Sequence, residues 1–291
     1  MKSSGTSKER EEMPICEVCF RHCSLREGQT GFCGARVCTG GKVVPKHYGK
    51  VSAIALDPIE KKPLKRFYPG SMVLSFGSCG CNMRCPFCQN SEISWSSQAM
   101  NMGEQLRQLE PQKAAELALK YKPQGNIGAA FTYNEPLVCC EFVRDTARLV
   151  KKAGMKNVLV TNASAELCVL DELQGCIDAM NIDLKCFNAL TYKDVLGGDL
   201  ETVKQFIRRA VQFCHVEITT LIVPGVSDDE NELRDLVDWV ADLQSGETPL
   251  HLTRFFPRFK MTDRDATSID LIKRFADIAR KKLKYVYIGN C

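Results

Sequence analysis

The chain has 291 residues with an ordinary 44% hydrophobic content, enough to bury a full core as one large domain with a small appendage. Its net charge is only +4, although residues 1–70 hold 13 Lys/Arg against 7 Asp/Glu. No apolar run nears the roughly 20 residues that cross a bilayer, residues 1–13 lack the apolar stretch of a secretory signal, and no arginine-rich tract or nucleic-acid motif adds to the basic first quarter; neither membrane nor nucleic acid is an expected partner.

Sixteen cysteines would suggest a disulfide framework in a secreted chain. With no export signal, a large chain and two metal-like spacings, a reducing cytoplasm is the expectation. Residues 1–13 read as a disordered tail, and residues 14–70 as a cysteine-rich metal-binding segment and linker. There Cys16, Cys19, Cys23 and Cys33 follow the pattern C-x2-C-x3-C-x9-C, among glycines that allow tight turns. Four thiolates so spaced predict a closed metal site, which zinc and an auxiliary four-iron cluster both satisfy. His22 and Cys38 read as bystanders. The segment has little core of its own, so metal would supply much of its folding energy. Residues 42–70 look like a strand-and-loop linker. Within it, 57–64 (DPIEKKPL) mixes prolines and charges with apolar residues. A surface loop explains that stretch, and its position also permits a wall of an active site.

From residue 71 to 291, strands and helices alternate. Strands are expected at 71–77, 127–132, 157–161, 177–185, 216–223, 249–255 and 284–288. Helices are expected at 111–121, 136–153, 165–174, 200–213, 228–243 and 268–282. Pro136 suits a first helical turn, and acidic residues open 228–243 as a helix start prefers. Such alternation predicts a parallel sheet with right-handed crossovers, hence an α/β fold of the partial or complete (β/α) TIM-like barrel kind. After the first of these strands comes Cys81-Asn82-Met83-Arg84-Cys85-Pro86-Phe87-Cys88, a C-x3-C-x2-C loop. Three thiolates within eight residues converge only if the loop wraps something, and soft ligands point to an iron–sulfur cluster or zinc. Three ligands leave one iron of a four-iron cluster open to bind and reduce a cofactor.

Several strands carry charges where a doubly covered parallel strand is usually apolar. Alternation puts Asn181, Asp183 and Lys185 on one face, Glu217 and Thr219 on another, and His251 with Thr253 on a third. Interior charges are expensive unless they are paired or serve a polar ligand. A lumen that binds a zwitterionic, nucleoside-like molecule would account for all three strands. Active-site groups of such barrels gather at the C-terminal strand ends. Here those ends are the cysteine loop, Thr132 to Pro136, Thr161-Asn162 and Asp183 to Lys185.

The cysteine loop resembles that of radical S-adenosylmethionine (SAM) enzymes, and residues 71–290 look like the branch related to pyruvate formate-lyase activating enzymes. Taken with the N-terminal cysteines and the segments DPIEKKPL, TYNEP, VTNA, NIDLK and RFFPRFKM, the chain most closely resembles the AmmeMemoRadiSam-system radical SAM enzymes. The resemblance implies that Cys81, Cys85 and Cys88 bind a [4Fe-4S] cluster and that Phe87 lies beside the adenine of SAM. It implies that Asn134 and Glu135 meet the amino group, and that Thr161 and Asn162 lie near the ribose. Asp183 and Lys185 fall near the carboxylate and the reaction centre, and His251 close to SAM. Tyr133-Asn134 replaces the two glycines of the activating-enzyme motif, and Val160 replaces an aspartate. The implied reaction is reductive cleavage of SAM to a 5′-deoxyadenosyl radical that abstracts hydrogen from a substrate, with the hard chemistry carried by the cofactors. A flavodoxin- or ferredoxin-type electron donor follows, with other AmmeMemoRadiSam-system proteins as candidate partners.

Two substrate classes stay open: a small molecule or peptide, and a glycyl radical enzyme activated at a backbone glycine. Residues 89–138 contain no cysteine, whereas many activases carry a ferredoxin-like insertion after the first loop. The readings from other classes are a two-cluster electron carrier and a non-catalytic zinc scaffold. Cys139, Cys140, Cys168, Cys176, Cys186 and Cys214 are expected to act as small buried hydrophobes. Cys79 falls outside the superfamily spacing, and Cys291 reads as a free terminal thiol.

Overall fold

The structure, a computed structural model, describes residues 13–101 and 106–291. The expected tail at 1–13 lies, except for Met13, outside the described residues. Among the described residues twelve strands follow in chain order: β1 (Arg36–Thr39), β2 (Lys42–Pro45), β3 (Lys50–Val51), β4 (Ala53–Pro58), β5 (Met72–Gly77), β6 (Arg107–Gln108), β7 (Asn126–Phe131), β8 (Lys156–Thr161), β9 (Ala179–Asp183), β10 (His215–Ile222), β11 (Leu250–Arg254) and β12 (Val286–Gly289). Eight form one sheet in the order β12-β11-β10-β9-β8-β7-β5-β4. Seven of these run parallel, and β4 pairs antiparallel with β5 at the edge. Because β4 and β12 are the unjoined edges, the sheet is an open, partial barrel. All seven expected strands are present; the eighth, β4, comes from the stretch read as linker.

Helices cover the outer face where the apolar spacing is helical. In Leu200–Ala210 the residues Leu200, Val203, Phe206, Ile207 and Ala210 are buried, the spacing of one helical face. Asp199, Asp229 and Ser268 cap three of the helices by accepting from backbone N–H groups of the first turn. The expected helix at 136–153 divides into a 3-10 turn, Pro136–Cys139, and an α-helix, Cys140–Lys152.

The polar interior has two tenants rather than one. Residues 59–66 form a strap across the inside of the sheet, anchored by the fully buried Ile59 and Leu64. Glu217, with no exposed surface, accepts from the N–H groups of Lys65 (3.0 Å) and Arg66 (2.7 Å) and pairs with His215 (2.9 Å) and His251 (2.6 Å). Asn181 donates to Pro63 O at 2.9 Å. The lumen ligand expected from the strand pattern therefore accounts for only half of it. Asn181, Glu217 and His251 hold the strap, while Asp183, Lys185, Thr219 and Thr253 line a cavity above it.

Candidate active site

The cavity has a volume of about 510 Å³ and opens at the C-terminal strand ends. All three cysteines of the β5 loop line it, together with Phe87, Asn134, Glu135, Thr161, Asn162, Asp183 and Lys185. His251 does not. Its ring is bonded to Glu217 and stacked on Tyr287 at 5.1 Å.

The cysteine loop is pinned from several sides. Asn82 donates to Ser164 O (2.8 Å), Asn162 donates to Asn82 Oδ1 (3.0 Å), and Arg84 N–H donates to Leu196 O (2.8 Å). Cys81 Sγ accepts from Met83 N–H (3.4 Å) and from Asn162 Nδ2 (3.6 Å), and N–H donors of this kind favour a thiolate. Burial acts the other way, pushing the Cys81 thiol well up and Cys85 to about 11. Left alone, these thiols keep their protons; a bound metal reverses that, because it deprotonates its ligands. Among the described residues no three His, Cys, Asp or Glu side chains surround one position for a single metal ion. A four-iron cluster spaces its thiolates more widely than one ion does, and the soft donor set fits it.

Glu135 is a buried acid of the same cavity. It accepts from Thr161 Oγ1 (2.7 Å), Asn162 N–H (2.8 Å) and Leu137 N–H (3.0 Å), all neutral donors. Burial outweighs these bonds and raises its carboxyl to about 7. No cation pairs with it among the described residues. Asn134 braces the loop instead, accepting from Ser78 N–H (2.9 Å) and donating to Gly80 O (3.0 Å). Lys185 pairs with Asp183 at 2.9 Å. Burial alone would lower its ammonium, but Asp183 and the nearby Cys85 keep it above the ordinary range. Phe87 is buried with its ring edge-on to Phe255 at 6.5 Å.

Residues to which the sequence assigned no contact with SAM also line the cavity. Tyr133 takes φ 76°, a conformation suited to the glycine it replaces. Gly77 makes room for it: a Cβ there would fall 2.7 Å from Tyr133 Cδ2. Lys61, Lys62 and Pro63 form the floor. The signal for them was DPIEKKPL, whose reading as a wall fits this position better than a surface loop. Trp95, Asn90 and Asn290 complete the rim without a sequence cue.

The four N-terminal cysteines lie against the cysteine loop, outside the cavity. Cys16, Cys19 and Cys33 are buried and Cys23 is half-buried. Burial lifts the Cys33 thiol to about 12. Cys81 N–H donates to Cys33 O at 3.2 Å, and a Cβ on Gly80, at φ +94°, would fall 2.7 Å from that same oxygen. Arg21 and Arg84 both lie over the Phe32 ring, at 3.4 and 3.8 Å. His22 pairs with Glu166 (3.2 Å) and Cys38 bonds to Glu27 (3.8 Å). Cys139, Cys140 and Cys186 are buried as expected, whereas Cys168 is exposed beside the first residue of its helix, Leu167–Leu173.

A family model described as the radical SAM superfamily matches residues 76–239. An uncharacterized protein of Methanocaldococcus jannaschii is 41% identical over 278 residues, 94% of this chain and 80% of that protein. The pyruvate formate-lyase 1-activating enzyme of Escherichia coli is 28% identical over 185 residues, 62% of this chain and 72% of that enzyme. In fold, the structure of TYW1 with a lysine-pyruvate adduct bound is similar at a TM-score of 0.55 and 15% identity, covering 80% of this chain and 84% of that one. With a three-cysteine loop at the head of an open parallel barrel and a family match over more than half its length, the chain belongs to the radical SAM superfamily, in the branch related to the pyruvate formate-lyase activating enzymes.

Proposed function

We propose that the cavity binds SAM between the cysteine loop and Glu135 and directs its radical chemistry at a substrate held over the strap. Cys81, Cys85 and Cys88 would hold a [4Fe-4S] cluster, which would supply the electron for reductive cleavage of SAM and so the radical chemistry of the site. The observation that carries the reading is Glu135: a fully enclosed carboxylate, facing the cavity, held by three neutral donors and lacking a cation. The ammonium of SAM meets that need. Thr161 orients the carboxylate, and Phe87 and Asn162 border the adenosine. The fixed pair Asp183–Lys185 positions charge near the carboxylate and shields the reacting centre from water. His251 acts from below by fixing Glu217 and the strap.

The four N-terminal cysteines would hold a second metal, an auxiliary [4Fe-4S] cluster or, once drawn together around one position, zinc, and that metal would stabilise the segment. The protein works in a reducing cytoplasm with a flavodoxin- or ferredoxin-type donor and other AmmeMemoRadiSam-system proteins. The substrate is a small molecule or peptide. The 28% identity to a pyruvate formate-lyase activating enzyme supports a second reading, a glycyl radical enzyme as substrate. The electron-carrier and zinc-scaffold readings give way to the enzyme family.

Anaerobically reconstituted protein, reduced with dithionite and given SAM, should release 5′-deoxyadenosine. Cys85→Ala should abolish the product and the iron of that cluster. Eight irons rather than four in the wild type would identify the second site as a cluster. A fully loaded cluster that neither binds nor cleaves SAM would overturn the reading.

A further inference from the structure

Two lysines stand in the cavity floor with one carboxylate between them. Lys62 Nζ lies 2.8 Å from Asp57 Oδ2, and Lys61 Nζ lies 3.8 Å from Asp57 Oδ1. Among the described residues Asp57 is the sole carboxylate in ion-pair range of either. The Lys62 side chain is only 3% exposed, although lysine is seldom buried. It packs its ammonium 4.5 Å from the centre of the Tyr133 ring, whose hydroxyl donates to Asp57 at 2.6 Å. Burial would raise the Asp57 carboxyl, but the bonds from Lys62 and Tyr133 win and hold it at about 2. It stays a single negative charge facing two positive ones.

The corner is built at some cost. A non-glycine residue at φ 76° and a glycine kept bare at position 77 both serve to seat the Tyr133 ring. Elsewhere in the cavity the charges are spoken for: Lys185 by Asp183, and Glu135 by the ammonium of SAM. One cationic charge therefore remains over the floor, with Lys61, whose side chain is 69% exposed, at its open side. The buried Lys62–Asp57 pair is balanced, and the unbalanced ammonium of Lys61 at the open side of the cavity favours a negative ligand group.

We infer that Lys61 and Lys62 form a subsite for an anionic group, a carboxylate or phosphate, of the substrate. This deepens the radical SAM reading and rests on it. Lys61 makes the direct contact; Lys62, fixed by Asp57 and Tyr133, supplies charge from below.

The test uses anaerobic holoenzyme saturated with SAM, so that the carboxylate of SAM does not compete. Glutarate, its uncharged analogue glutaramide, and inorganic phosphate are compared by ligand-observed NMR titration. The wild type should bind glutarate or phosphate about tenfold more tightly than glutaramide, about 1.4 kcal/mol. Preference for glutarate identifies a carboxylate source, and preference for phosphate a phosphate source. Lys61→Gln, at an exposed position, should lose the preference, and Lys61→Arg should keep it. Lys62→Gln should weaken it as well, but Lys61→Gln alone decides the matter if that buried variant misfolds. Equal behaviour of the acid and the amide in the wild type, including no measurable binding of any probe, overturns the inference, as does a preference that survives Lys61→Gln. SAM binding, measured on the same wild-type sample, separates the two failures. Bound SAM with no anion preference sinks only the subsite, and unbound SAM sinks the reading beneath it.

Discussion

Glu135 makes stability and SAM binding respond to pH in opposite senses. Burial lifts its carboxyl from 4.5 to about 7 despite three hydrogen bonds. Between those values the folded chain holds a proton that the unfolded chain has released. Stability from this raised group is full below about pH 4.5 and is lost as the pH rises through 7. At about 1.4 kcal/mol per unit, the loss is roughly 3 kcal/mol. Glu135→Gln removes that slope. Its amide nitrogen would face Asn162 N–H, so absolute stability also drops by about 1–3 kcal/mol at every pH. The readout is thus how the wild-type-minus-variant difference changes with pH, from anaerobic urea titrations of metal-free protein without SAM. Subtraction cancels other groups, such as His47, which burial lowers to about 4. For SAM the sign reverses, because its ammonium needs the carboxylate. Between pH 5 and 7 wild-type affinity should climb about tenfold per unit, while the variant binds weakly with no slope. Equilibrium dialysis with labelled SAM reads this. A stability difference constant with pH, or a variant that keeps the wild-type slope for SAM, refutes the argument.

Glu217 should behave in the opposite way in acid. Burial opposes its ionisation, but His215, His251 and two strap N–H groups outweigh that and hold it at about 2. Its contribution is present above about pH 4.5 and fades as the pH falls toward 2. Glu217→Ala strands the strap donors and should cost about 3 kcal/mol or more by urea titration, with weaker SAM binding if the cavity floor sags. At the junction of the two cysteine groups, Gly80→Ala introduces a Cβ against Cys33 O at a positive φ. It should destabilise by about 1–3 kcal/mol and loosen metal at the N-terminal cysteines, measured by metal analysis after gel filtration, ahead of iron on the β5 loop.

The alternation of strands and helices was readable because burial enforces it residue by residue. Leu200, Val203 and Phe206 repeat at helical spacing whatever they pack on, and Met180, Ile182 alternate with polar neighbours in β9. Cysteine spacing was readable for a similar reason: three thiols within eight residues share one loop, so their proximity is local. The strand-end groups followed once parallel strands were granted, since every C-terminal end then reaches the same rim. What the linear pattern could not tell was which interior polar residue faces a ligand and which faces the protein itself. Glu217 and Thr219 share a face of one strand, yet Glu217 meets backbone N–H groups from 65 and 66 while Thr219 lines the cavity. That division depends on where a segment some 150 residues earlier crosses the sheet. The same crossing gives Asp57, Lys62 and Tyr133 to one corner. Sequence alone determined the chemistry these residues can offer and the rim on which the cysteines stand. Only the tertiary structure decided which charges are already neutralised, because electrostatic pairing depends on distances of a few ångströms between residues far apart in the chain.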